Sequence, residues 1–254
     1  MKRLLLLMCV SFFLLVAPAR AGINLSWDDC GTAGSTRKDF ACNTNTGIPF
    51  RLIGSIVPYQ TVGAVVGASA QINVLGTQAQ LPDWWKFGAD ACRGVGALSA
   101  SYDFQSNGPY TCTDPWQGRA QGMMTYQIMN ATDARIRIST AMPEGETFAF
   151  EGGTEYYVFR INLGRSRTTG TGSCAGCSMP ACLMLDNIQL FQHPIQQNDP
   201  TDSFPANSNV ASWHGAYIFI WDDFENGRSG IGCAPDQPTK GARSTWGAVK
   251  SLYR

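Results

Sequence analysis

Three cysteines, Cys174, Cys177 and Cys182, fall within nine residues of the stretch GTGSCAGCSMPACLMLDNIQL, Gly170 to Leu190. Thiols this dense do one of two things: they ligate a metal or they close disulfides. The spacing Cys174-x-x-Cys177 suits a zinc ligand pair, and with Cys182 and Cys233 it offers a four-thiolate site. The competing reading is a disulfide framework. Cys9 lies in an apolar N-terminal run, which leaves eight cysteines: Cys30, Cys42, Cys92, Cys112, Cys174, Cys177, Cys182 and Cys233. An even number in an exported chain implies disulfides, with 105 conceivable connectivities. Sequence proximity favours Cys30 with Cys42 and Cys92 with Cys112, leaving the last four to pair among themselves. Each local staple is expected to contribute roughly 3 kcal/mol.

Other reactive side chains are sparse. His193 and His214 are the two histidines, and neither has the i, i+4 spacing of a zinc peptidase. No nucleophile elbow, phosphate loop or dinucleotide fingerprint occurs. Glycan hydrolysis or elimination needs two carboxylates across one cleft, yet Asp28-Asp29 and Asp222-Asp223 are adjacent, and neighbours on a strand face opposite ways. A carbohydrate-active hydrolase or lyase therefore requires one member of each doublet to meet. Asp222, Asp223, Glu225 and Asn226 also offer hard oxygen ligands in a turn, as calcium prefers, although the stretch does not match an EF-hand loop. Trp84, Trp85 and Trp213 sit beside proline, lysine, histidine and glycine. As exposed rings they would stack on sugar faces and make a carbohydrate-binding module; as buried rings they would fill a core.

These groups must be positioned by an exported, strand-rich chain. Residues 1–21 read as a signal peptide: Lys2 and Arg3, an apolar run from Leu4 to Val16, and Ala19-Arg20-Ala21 for cleavage. The run is shorter than the roughly 20 residues of a membrane span, so no span is expected after cleavage. The remaining chain has 16 basic against 19 acidic residues, a formal charge of −3, which argues against nucleic acid as a partner. Strands are expected over Ile23 to Trp27, Phe50 to Val57, Val62 to Leu75, Leu98 to Phe104, Ala134 to Thr140, Tyr156 to Leu163, Cys182 to Phe191 and Ala216 to Trp221. In the seventh of these, strict alternation puts Asp186 on the face of Ile188 and Leu190. Either it is buried with partners or a bulge changes the parity, and the bulge is favoured. Asp114 to Met124, capped by Asp114 with Pro115 behind it, reads as a short helix, and Leu81 to Phe87 as a helical turn or edge segment. His193 to Ser212 reads as a long surface connection, and Ser244 to Arg254 as a short terminal helix. Together these predict an all-β, antiparallel, jelly-roll-like sandwich over 22–192, with 193–254 as an extension packed on the same domain.

The segments Ser26-Trp27-Asp28-Asp29-Cys30, Asn43-Thr44-Asn45-Thr46-Gly47, Cys174-Ala175-Gly176-Cys177 through Cys182, and Trp246 to Tyr253 resemble a family of exported bacterial proteins. That resemblance implies a bacterial source and carries no catalytic or binding residue. The expected function is a non-catalytic binding or structural role at the cell envelope or outside the cell. A glycan or another envelope protein is the expected partner, with calcium the one cofactor the residues suggest.

Overall fold

The computed structural model describes residues 21–105, 110–193, 206–223 and 228–235. Two β-sheets pack face to face. The first has the order β11 (Ala206–Ser208), β1 (Gly22–Trp27), β3 (Phe50–Val57), β9 (Tyr156–Leu163) and β5 (Leu98–Ser101). The second has the order β2 (Arg37–Lys38), β12 (Val210–Trp213), β10 (Ala181–Gln192), β4 (Val62–Gly76), β7 (Asp133–Ala141) and β6 (Gln121–Ile128), with β8 (Phe148–Phe150) beside the start of β4. A separate hairpin joins β13 (Ala216–Asp223) to β14 (Arg228–Pro235). Neighbours run antiparallel except at two short edge pairs, β1 with β11 and β12 with β2.

The layers form because alternation points one side of each strand inward. Ala70, Ile72 and Val74 of β4, Ile136 and Ile138 of β7, and Leu183, Leu185, Ile188 and Leu190 of β10 are buried in one core with Leu25, Leu52, Phe159 and Ile161 of the other sheet. The expected bulge in β10 is present. Pairing with β4 skips from Leu185 to Asn187, so Asp186 is the extra residue and lies exposed. A second bulge in β9, between partners of Gly54 and Ser55, makes Val158 the extra residue. It brings Tyr157 and Arg160 to the same side, where Tyr157 stacks on Phe104 and Arg160 donates to the Tyr110 hydroxyl at 2.6 Å.

Several expectations need correction. Asp114 to Met124 is not a helix. Asp114 instead accepts the Trp116 amide at 2.9 Å in a tight turn that continues through Gln117 and Gly118, both at positive φ, and the chain then enters β6. Asp-Pro begins a turn as well as it begins a helix, and two left-handed residues end any helical run. The connection after His193 also holds structure the composition concealed. Val210 to Trp213 form β12, built into the second sheet between β2 and β10, with Ala211, Ser212 and Trp213 buried. Segment 193–254 thus contributes strands to the sandwich itself. The expected terminal helix lies outside the described residues.

The eight cysteines among the described residues are all in disulfides, so no thiolate remains for the four-cysteine zinc site. The local pairing is wrong. The bonds are Cys30–Cys112, Cys42–Cys177, Cys92–Cys174 and Cys182–Cys233, at separations of 82, 135, 82 and 51 residues. Sequence distance is a poor guide here because a sandwich juxtaposes segments far apart in the chain. The cysteine-dense loop is pinned to two distant segments, at Cys42 and Cys92, and its last cysteine to β14.

Candidate functional site

Of the two readings of Trp84, Trp85 and Trp213, a sugar-stacking face or a core, the structure shows the second. Trp84, Trp85 and Trp213 have 0% exposure and share one cluster with Trp27, Phe40 and Phe50. Trp213 is its hub, stacked on Phe40 and Trp84 and set edge-on to Phe50 and Trp85. Their indole N–H groups tie the loops down: Trp27 donates to the Ser212 carbonyl, Trp84 to the Thr168 hydroxyl and Trp213 to the Cys177 carbonyl. Burying a ring removes about 150–250 Å² from water, worth roughly 4–6 kcal/mol at about 25 cal/mol/Å². That outweighs the polar neighbours that made these rings look exposed. Gly, Ser and Pro loops have little else with which to fill the end of the sandwich.

The cluster carries a cation without a carboxylate. Arg93 is fully buried, its guanidinium 4.0 Å from the Trp84 ring and 4.9 Å from Phe87, and it donates to the carbonyls of Trp84 and Gly164. Ring faces and carbonyl dipoles take the place of a counterion, and burial lowers its pKa from 12.5 to about 10.

Of the two carboxylate doublets, only Asp28-Asp29 has described side chains. Asp28 pairs with Lys38, whereas Asp29 accepts from the Tyr157 hydroxyl and from the amides of Cys30 and Thr111. Burial and the Asp29 carboxylate raise the Tyr157 pKa, so this hydroxyl stays protonated and donating. Glu155 accepts from Ser55 at 2.6 Å and Asn24 at 2.9 Å. Its other close neighbours are the sulfurs of the Cys30–Cys112 bond, which as a disulfide are not thiolates. Asp222 and Asp223 end β13, and their side chains, with Glu225 and Asn226, lie outside the described residues.

The surface best equipped to contact a ligand was not singled out by the sequence: the outer face of β6, β7, β4 and β10. Cross-strand register aligns three rows on it. Met123, Ser139, Ser69 and Gln189 form one; Thr125, Arg137, Gln71 and Asn187 the next; Gln127, Arg135, Asn73 and Met184 the third. At about 4.8 Å between strands each row spans roughly 14 Å. The β10 bulge adds Asp186 to this face, where its carboxylate accepts from Gln71 at 2.8 Å. Ser69 donates to Gln189 at 3.4 Å and Arg135 to Asn73 at 3.4 Å. The side chain of the exposed Arg137 has no hydrogen-bond or ion-pair partner among the described residues.

A hollow of about 440 Å³ lies at the β6–β7 turn end of this face. Asn73, Asn130, Asp133 and Arg135 supply its polar wall, and Leu75, Met129 and Met184 its apolar one. Asn130 builds the turn, accepting from the backbone amides of Thr132 and Asp133 and donating to the Asp133 carboxylate at 2.7 Å. The signal that would have found this site is the run of polar residues at alternate positions of four strands that neighbour one another in the sheet, visible only once the register is known.

No family model matches the chain, and no curated protein matches it. Among solved structures it is similar to a cohesin module from a Clostridium perfringens family 33 glycoside hydrolase, at 9% identity and a TM-score of 0.32, covering 85% of this chain and 99% of that one.

Proposed function

We propose that this chain is an exported, non-catalytic binding protein whose contact surface is the outer face of β6, β7, β4 and β10. The observation that carries the reading is the three-row array of amides, hydroxyls and arginines ending in a hollow with one polar and one apolar wall. Arg135 and Arg137 offer forked donors, the Gln and Asn side chains offer donor and acceptor together, and Asp186 accepts. A hydroxyl-rich chain such as a glycan uses both kinds of group, while the Met129, Met184 and Leu75 wall suits the C–H face of a sugar ring. Four disulfides support a place outside the reducing cytosol.

A second reading, a protein partner, is favoured by two apolar side chains on the same face. Met123 is 70% exposed and Phe191 41%, at the end opposite the hollow. The test is direct binding of the folded, oxidised protein to a panel of polysaccharides and envelope extracts. Loss of glycan binding in Arg135→Ala with Asn73→Ala, and its retention in Met123→Glu with Phe191→Glu, supports the first reading. The reverse pattern supports the second. Turnover of any glycan by the purified protein would overturn both.

A further inference from the structure

One disulfide differs from the other three in what stands beside it. The Nε2 atom of His214 lies 3.6 Å from the Cys42 sulfur, and its Nδ1 atom lies 3.7 Å from a carboxylate oxygen of Asp39. The Phe40 backbone also acts on the ring, favouring its protonated form. With the ring proton on Nδ1, towards the Asp39 carboxylate, Nε2 is an acceptor facing Cys42. Cys42 is half-buried whereas its partner Cys177 is buried. The less buried cysteine of the pair is therefore the one with the imidazole next to it.

The backbone supplies an independent observation. His214 and Gly215 occupy consecutive left-handed conformations, φ 50° and 64°, between β12 and β13. Such a pair of positions favours Asn-Gly, and a histidine there is held at a steric cost. Strain of this kind, kept where a more comfortable residue is available, points to a use for the side chain.

We propose that Cys42–Cys177 is a thiol–disulfide exchange site for an external dithiol, with His214 as general base and Asp39 as its positioning residue. The incoming thiol gives its proton to Nε2 as its sulfur bonds to Cys42. The Cys42–Cys177 bond breaks, and its electron pair leaves on the Cys177 sulfur, which takes a proton from the imidazolium. The second thiol of the dithiol then displaces Cys42, so the dithiol is oxidised by two electrons and the protein disulfide is reduced. The other charges near the ring are few: Lys38, whose carbonyl accepts the His214 amide, has its ammonium paired with Asp28. Residues 41–49 and 174–182 bring no charged side chain. Burial lowers the His214 pKa from 6.5 and so favours the neutral ring, while an ordinary thiol in mildly acidic solution is almost wholly protonated.

The test is reduction of the intact oxidised protein by limiting dithiothreitol at pH 6, with alkylation and peptide mapping to time each of the four bonds. Cys42–Cys177 should open first. In His214→Asn, which keeps a residue suited to the left-handed turn, that bond should open at least tenfold more slowly, since general-base catalysis contributes about 10²–10⁴-fold. Thermal stability should not fall, and the rates of the other three bonds should not change. In the unsubstituted protein the preference for this bond should fall as pH drops through the His214 pKa. This wild-type profile stands as a test even if the variant fails to fold. Opening of another bond first, an unchanged rate in His214→Asn, or a preference that does not vary with pH would each overturn the proposal.

Discussion

The aromatic end of the sandwich and the outer face of its second sheet use opposite means to opposite ends. At the aromatic end six rings, a buried arginine and the bonds Cys42–Cys177 and Cys92–Cys174 meet where the loops have almost no aliphatic residues. On the outer face, long polar side chains stand on a regular ladder and make only occasional bonds to one another. The first region holds loops in place with groups that resemble binding residues. The second exposes groups that resemble ordinary solvent-facing positions. Residue type alone therefore misplaces the exposed surface here, and burial corrects it.

That contrast is broken most severely by removing its hub. Trp213→Ala would leave a void among Trp27, Phe40, Phe50, Trp84 and Trp85 and free the Cys177 carbonyl. A loss of about 3–5 kcal/mol is expected, read as a lower midpoint in denaturant. A loss under about 1 kcal/mol would mean the rings are not packed around this residue.

A smaller effect is expected where the core meets β6. The Tyr102 hydroxyl donates to the Met123 carbonyl at 3.0 Å, and burial pushes its pKa from 10 up to about 12. With the folded pKa above the unfolded one, the contribution is fully present below pH 10 and is lost as pH rises towards 12. Tyr102→Phe should cost about 1 kcal/mol at neutral pH and flatten the alkaline decline in stability. An unchanged alkaline profile would place the titration elsewhere.

Much of the fold is legible in the sequence and little of the site is. Phe50 to Val57 and Tyr156 to Leu163 match β3 and β9 at both ends, because β-branched and aromatic runs bounded by turn formers leave little choice. The bulge at Asp186 follows from one misplaced carboxylate in an alternating strand. What fails is anything that depends on contacts between distant segments. Cys42 finds Cys177 across 135 residues, and the same fold brings His214 to Cys42. Trp213 looks exposed because its neighbours are Ser212 and His214, yet one of these is buried against β10 and the other turns the chain. Short β12 is hidden for the same reason: four residues in a polar stretch show no period until a partner strand supplies one.

The smallest stability change should accompany the clearest loss of binding. Arg137 sits in the middle row of the outer face, between Thr125 and Gln71, its side chain exposed and without a partner among the described residues. Because its head makes no contact that folding depends on, Arg137→Ala should shift stability by less than about 0.5 kcal/mol. A ligand lying across the rows must pass this side chain, so its removal should weaken binding by about tenfold, the loss expected for one charge-assisted hydrogen bond. Arg137→Lys separates geometry from charge: a forked contact is lost with lysine and a point-charge contact is kept. If both variants bind as the unsubstituted protein does, the ligand does not cross the middle row. The contact surface would then contract to the hollow at the β6–β7 turn, where Arg135 and Asn73 act without the rest of the ladder.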